Sequence, residues 1–407
     1  MIPKTSYHLS FYAIIYKAVA CLIFFIAINA ATQAQRLDFA IDQQKDEQGA
    51  YSLKIPLPEG VYRVHLVLGS GEAAGRTVVR AESRRLFAKE IISEPGQFVE
   101  FSFTVHRRSP QISEQEKVRL KPRELNKLNW DDYLNLEISG PQSQLSKIDI
   151  EYAGEVPVVF LCGNSTVVDQ DNEPWASWGQ MITAFFDDRI CFANYAESGE
   201  SANSFIAAGR LKKIMTQIKP GDYVLVEFGH NDQKQKGEGK GAYLSYWKSL
   251  TEFIDQARAK QAIPVLITPT QRRSFGEDDR IKDTHEDYPQ AMRDLAREKQ
   301  VPLIDLHQMT RVLYEALGTE GSKKAFVHYP AGSFPGQFQA LADNTHFNPY
   351  GAYQIAKCVI MGMKNQDLPL VEFLREDVIY DPAFPDDPDS FSWWSSPYVD
   401  LQKPDGN

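Results

Sequence analysis

From Val156 onward the chain alternates two textures, and that alternation limits the folds open to it. Continuous apolar runs (Val156–Cys162, Tyr223–Phe228, Ile263–Thr268, Val301–Asp305) are separated by amphipathic stretches (Trp178–Phe186, Phe205–Gln217, Tyr246–Lys260, Tyr288–Lys299, Ile355–Lys364). A strand apolar on both faces must be covered on both faces, and an intervening helix lets successive strands run parallel. The pattern predicts an α/β unit with a parallel sheet between helical layers. In such folds reactive side chains gather at the carboxyl ends of the strands.

The preceding residues read differently. Tyr62–Leu68, Thr77–Arg80, Phe98–Val105, Tyr133–Ile138 and Ile148–Tyr152 alternate with a period of two, punctuated by Pro58-Glu59-Gly60, Gly69-Ser70-Gly71 and Pro95-Gly96. These predict an all-β sandwich over residues 36–153, with Ala153-Gly154-Glu155 as linker. The α/β unit then spans 154–380. Residues 381–407, with Trp393-Trp394, read as a C-terminal extension lying on the surface. At the other end, Lys4 and Lys17 precede or flank an apolar stretch, Ala18–Ala31, and Thr32-Gln33-Ala34 suits cleavage. Residues 1–35 therefore read as a signal peptide, which predicts a secreted or periplasmic protein. An uncleaved anchor is the alternative, but spanning a bilayer takes about 20 apolar residues. No second apolar run of that length follows.

The formal charge is −10, and the leader holds two lysines and no acids, so the remainder stands at −12. Residues 36–150 are neutral and residues 151–407 carry the whole excess. Such a balance argues against nucleic acid as a partner. Within the neutral part, Arg76–Arg123 has 11 basic and 6 acidic residues. That excess suits either an acidic polymer or a solvated surface. Cys21 leaves with the leader; the remaining Cys162, Cys191 and Cys358 are odd in number and read as buried thiols, not a disulfide framework.

Ester hydrolysis through serine requires a nucleophile, a base, a carboxylate that orients the base, and donors for the oxyanion. Ser165 follows the first apolar run and is the candidate nucleophile. In Asp343-Asn344-Thr345-His346, a three-residue spacing on a turn lets the carboxylate reach the ring Nδ1, leaving Nε2 to take the serine proton. Asn231, in Phe228-Gly229-His230-Asn231-Asp232, offers a side-chain amide to the oxyanion, and Gly229 lets the backbone approach a ligand. Gly199 follows Cys191–Asn194 and offers a backbone amide, as does Ser165 itself. Trp175 and Trp178 suit sugar stacking or core packing. Arg272 and Arg273 suit a uronate carboxylate or a structural ion pair. His230 ranks behind His346 as base. A metal site from His230, Asp232, Asp343 and His346 lacks tight ligand spacing.

Gly163-Asn164-Ser165, Gly199, Gly229-His230-Asn231 and Asp343-Asn344-Thr345-His346 resemble the four blocks of the SGNH hydrolases. More closely, residues 164–179, 227–232 and 343–351 resemble rhamnogalacturonan acetylesterases. The resemblance covers about residues 156–365. It implies a flavodoxin-like α/β/α sandwich, a Ser165–His346–Asp343 triad, and an oxyanion hole of Ser165, Gly199 and Asn231. It implies no cofactor. The expected reaction is O-deacetylation of a polysaccharide, acetylated rhamnogalacturonan first, with xylan or other acetylated sugars as alternatives. Asn164 stands where the family carries aspartate, keeping the hydrogen-bonding shape and dropping a charge. A non-catalytic carbohydrate-binding protein and a metal-dependent hydrolase are the competing classes. The sandwich resembles carbohydrate-binding modules found beside such esterases. No residue pattern specifies an oligomeric state.

Overall fold

The computed structural model describes residues 46, 49–397 and 403–405. The leader read at 1–35 lies outside them. Strands β1 (Tyr51–Pro56), β2 (Gly60–Gly69), β3 (Gly75–Ala81), β4 (Arg85–Ser93), β5 (Phe98–Arg107), β6 (Gln111–Ser113), β7 (Glu116–Lys117), β8 (Tyr133–Gln142) and β9 (Lys147–Tyr152) fill the first part. They form antiparallel sheets ordered β1-β8-β3-β4 and β5-β2-β9, with β6-β7 as a separate small hairpin. Alternation sets the faces: Tyr51, Leu53 and Ile55 are buried while Ser52 and Lys54 are exposed. The inward rows of both sheets, including Val64, Leu66, Phe103, Leu136 and Ile150, share one core. This is the expected sandwich, with β1 and β4 as strands the periodicity did not reveal.

The second part is a parallel sheet of β10 (Val158–Gly163), β11 (Cys191–Asn194), β12 (Tyr223–Glu227), β13 (Ile263–Ile267) and β14 (Leu303–Ile304). Its order is β11-β10-β12-β13-β14. The chain reverses direction across the sheet at β10, so a crevice opens where β10 and β12 end. Alternate residues enter opposite layers. Val159, Leu161, Leu225 and Val265 pack with Leu313, Tyr314, Ile355 and Val359. Val158, Phe160, Val224 and Leu266 pack with Phe253, Ile254, Met292 and Leu295. Helices thus cover both faces, as a doubly apolar strand demands.

Three elements differ from expectation. The helix expected over 205–217 is two, Ala202–Ala207 and Arg210–Met215, broken at Gly209, whose φ of 81° is left-handed. A further helix, Leu306–Gly321, was not anticipated. Outside the main sheet, β15 (Phe326–Tyr329) and β16 (Leu341–Phe347) form an antiparallel hairpin. It leads into helix Pro349–Asn365, capped by the Asn348 side chain, which accepts from the Gly351 amide at 3.0 Å.

The basic excess of Arg76–Arg123 is divided: Arg76, Lys117 and Arg119 are exposed, while five arginines turn inward. Arg80, Arg84, Arg85, Arg107 and Arg108 are buried. Arg84 pairs with Glu173 at 2.6 Å and Arg85 with Asp169 at 2.7 Å, so the sandwich is fastened to the hydrolase half by charge. The Thr104 hydroxyl adds a bond to the Ile190 carbonyl at 2.7 Å. The C-terminal run crosses the sandwich: Trp393 stacks under Arg80, and Ser396 Oγ donates to Glu137 at 2.7 Å. Cys162, Cys191 and Cys358 are free and buried. Among the described residues no helix is long and apolar enough to cross a membrane.

Candidate active site

Ser165 sits two residues past β10, in a loop shaped by Asn164. The Asn164 Oδ1 accepts from the Thr166 amide at 3.1 Å and the Thr166 hydroxyl at 2.9 Å, an Asx-type turn that lifts residue 165 off the strand end. The loop is gripped from behind: Gln170 Nε2 donates to the Ser165 carbonyl at 2.8 Å, and Arg84 donates to the carbonyls of Gln170 and Trp175 at 3.0 and 3.1 Å.

Asp343 and His346 lie within β16, not on an open turn. Asp343 Oδ1 accepts the amides of Thr345 (2.8 Å) and His346 (3.0 Å), which folds the carboxylate back along its own strand. Its Oδ2 lies 2.8 Å from His346 Nδ1, and His346 Nε2 lies 2.9 Å from Ser165 Oγ. Since a carboxylate only accepts, Nδ1 carries the proton and Nε2 presents its lone pair to the serine hydroxyl. Burial opposes ionisation of Asp343, but the His346 ring and the two amides outweigh it and hold the carboxyl well below its usual range. Lys403 approaches the same oxygen at 3.4 Å. The arrangement can pass a proton from Ser165 to His346 and return it to a leaving group.

Gly199 has a φ of 78°, a conformation that favours glycine. Among the described residues neither its amide nor that of Ser165 donates to a protein acceptor. Asn231 follows β12; its Nδ2 donates to the Glu200 carbonyl at 3.0 Å, and its Oδ1 accepts from Lys234 at 3.1 Å. That bond ties the Asn231 loop to the Gly199 loop and leaves the second amide hydrogen. Gly229 has a φ of 140°, and a Cβ there would meet Pro269 at 2.8 Å, so close approach to Pro269 accounts for the glycine.

The other singled-out residues separate. Trp175 is buried and presents its ring at right angles to His346, centroids 5.9 Å apart. It lines a cleft of about 210 Å³ with Arg123, Lys127, Asp171, Ser198 and Asp405. Trp178 is 1% exposed and donates to Glu227, so it is core and has no face for a sugar. His230 is 2% exposed, with Nδ1 against His285 and Nε2 against Thr270, so it contacts no substrate space. Arg272 donates to Thr284 and the His230 carbonyl. Arg273 donates to Ser322, Asn344 and Thr319, with no carboxylate partner among the described residues, and so braces β16. The set His230, Asp232, Asp343 and His346 does not gather as metal ligands: Asp232 is spent on the amides of Ala202 and Gly229.

Two parts of the site escaped the sequence reading. Glu227, at the end of β12, is fully buried behind the nucleophile loop, bonded to Thr166 Oγ1 at 2.7 Å and to the Trp178 indole. Burial pushes its carboxyl up to about 7, against those hydrogen bonds. A lone glutamate closing an otherwise apolar run was the available signal. The second part is a cationic clamp. Lys121 donates to the Ser198 carbonyl at 2.7 Å and pairs with Glu200 at 2.9 Å; Arg123 and Lys127 pair with Glu197 at 2.6 and 3.3 Å. Burial opposes Glu197 ionisation, but Lys127, Arg210 and Arg123 bring its carboxyl down to about 2. The sandwich half thereby holds the Gly199 loop.

A model of the GDSL-like lipase/acylhydrolase family matches residues 161–353. The rhamnogalacturonan acetylesterase RhgT of Bacillus subtilis (strain 168) is 45% identical over 218 residues, 53% of this chain and 93% of that protein. The probable rhamnogalacturonan acetylesterase YesY of the same organism is 34% identical over 222 residues, 54% of this chain and 98% of that protein. Among solved structures, the Bacillus subtilis protein YxiM is 22% identical, with a TM-score of 0.48, over 79% of this chain and 81% of its own.

Proposed function

This chain belongs to the GDSL-like lipase/acylhydrolase (SGNH) family of ester hydrolases, and from that premise we propose a polysaccharide O-acetylesterase acting on acetylated rhamnogalacturonan. The observation that carries the mechanism is the unbroken line from Ser165 Oγ to His346 Nε2 (2.9 Å) and from His346 Nδ1 to Asp343 (2.8 Å).

Ser165 Oγ attacks the acetyl carbonyl carbon as His346 Nε2 takes its proton. The carbonyl electron pair moves onto oxygen, which the Ser165 and Gly199 amides and the Asn231 side chain receive. Collapse expels the sugar oxygen, protonated by His346, and leaves acetyl-Ser165. Water, deprotonated by the same nitrogen, releases acetate. Asp343, held ionised, stabilises the imidazolium in both halves. The substrate class rests on the identity to RhgT and YesY. Export rests on the leader read at 1–35.

Ser165→Ala is expected to abolish acetate release and labelling by a fluorophosphonate. Continued labelling of that variant at another serine would remove Ser165 from its role. Acetate release from a panel of acetylated pectic and hemicellulosic polymers then tests the substrate: faster release from xylan than from rhamnogalacturonan would overturn the pectic assignment.

A further inference from the structure

We propose that Asp283, His285 and His307 form a binding site for a divalent transition-metal cation, joined to the Asn231 loop through His230. One ligand atom from each residue lies within 4.8 Å of the others, and His307 Nε2 stands 3.2 Å from Asp283 Oδ2.

The proton count points to a cation. His307 Nδ1 lies 3.0 Å from the Pro269 carbonyl, which only accepts, so Nδ1 carries the hydrogen and Nε2 is a lone pair when the ring is neutral. Two acceptors, Nε2 and a carboxylate oxygen, then face each other. His285 spends Nε2 on His230 Nδ1 at 3.0 Å, and its Nδ1 is buried without a hydrogen-bond partner. The residue is 0% exposed, so no solvent satisfies that nitrogen. With Nε2–H given to His230 Nδ1, the unpartnered Nδ1 of His285 is a lone pair. A bound cation would satisfy that buried atom.

His307 has its far nitrogen fixed by the Pro269 carbonyl, and His285 has its own held against His230 in the tautomer whose Nε2 donates, which is how metal-binding histidines are oriented. Gln271 adds to the pattern. Its amide nitrogen is 2.8 Å from His307 Nε2 while its Oε1 is buried without a partner; turned over, it offers that oxygen to the same space. Two imidazoles and a carboxylate suit Zn²⁺ and its neighbours better than Ca²⁺ or Mg²⁺. The Asp283 side chain is 44% exposed and gives an ion a way in. Arg311, 3.9 Å from Asp283, is the competing positive charge. Through the His285–His230 contact, a bound ion would brace the loop carrying Asn231 without touching the reacting ester.

The test uses the full chain without a histidine tag, stripped with chelator and titrated with Zn²⁺ by calorimetry and with Co²⁺ by visible absorption. One Zn²⁺ per chain is expected, with Co²⁺ bands from nitrogen and oxygen ligands. Asp283→Asn and His307→Gln are each expected to weaken Zn²⁺ by about tenfold or more. Ser165→Ala is expected to bind as wild type, which separates this site from the esterase assignment. Asp283→Asn changes a half-exposed side chain at constant shape, so it decides the matter if His307→Gln fails to fold. Absence of stoichiometric Zn²⁺ binding by the wild type, or undiminished binding by Asp283→Asn, would overturn the proposal.

Discussion

Thr166 has one hydroxyl proton and two neighbours that want it: Asn164 Oδ1 at 2.9 Å and Glu227 Oε1 at 2.7 Å. The arrangement closes only when Glu227 supplies a proton of its own, in keeping with a carboxyl raised to about 7 by burial. An aspartate at 164 would set a second carboxyl on the same hydroxyl; asparagine keeps the acceptor oxygen without adding a charge to this buried space. Because the folded-state value lies above the ordinary 4.5, this group's stabilisation is present below pH 4.5 and lost as pH rises through 7. Glu227→Gln is expected to flatten that segment of the wild-type profile, by on the order of 3 kcal/mol. Urea denaturation of both proteins at pH 5 and pH 8 measures it; parallel profiles would refute the assignment. At Asn231 the expected effect is kinetic. Asn231→Ala should lower turnover of an aryl acetate by roughly 100–1,000-fold, the cost of losing one oxyanion donor. A rate near wild type would take Asn231 out of the oxyanion hole.

At the scale of elements, the parallel sheet was legible because Val158–Gly163 and Tyr223–Glu227 are apolar at every position but the last, and only a doubly covered strand can be. The hairpin that carries His346 was not. Leu341-Ala-Asp-Asn-Thr-His-Phe347 has a polar centre with no alternation, and its pairing with Phe326–Tyr329 is set by partners a dozen or more residues away. Strand β4 was hidden for a similar reason: it opens on Arg85, whose charge is tolerated inside only because Asp169 waits 84 residues on. The spacing Asp343–His346 revealed the contact even though the element was misread, since a carboxylate and a ring three residues apart meet on a folded-back strand as they do on a turn. The clamp of Lys121, Arg123 and Lys127 on residues 197–200 was invisible for want of any local pattern. Arg123→Ala removes both a bond to the Ser198 carbonyl and a partner of Glu197. Turnover is expected to fall about tenfold or more with KM little changed, because a donor displaced by an ångström acts chiefly on the transition state. An unchanged turnover number would show that the Gly199 loop holds its shape without the clamp.

In the whole molecule, the sandwich lies outside residues 161–353, the stretch matched by the family model. Yet the sandwich is part of the site's construction. Arg85, 1% exposed, reaches Asp169 at 3.1 and 2.7 Å and the Phe192 carbonyl at 3.1 Å, while Asp169 also holds Asn194. Removing one partner of such a buried pair strands the other charge, so Arg85→Met is expected to cost about 3–5 kcal/mol in urea denaturation. A loss under about 1 kcal/mol would mean that water reaches Asp169.

The same seam bears on descent. A sandwich joined by a free tether can be exchanged for another by recombination at the join. Here the exchange would leave Asp169 and Glu173 without Arg85 and Arg84, and a new partner would have to bring two arginines to the same two places. A sandwich exchanged at the join of 153–155 would therefore have to match the hydrolase half in charge as well as in shape.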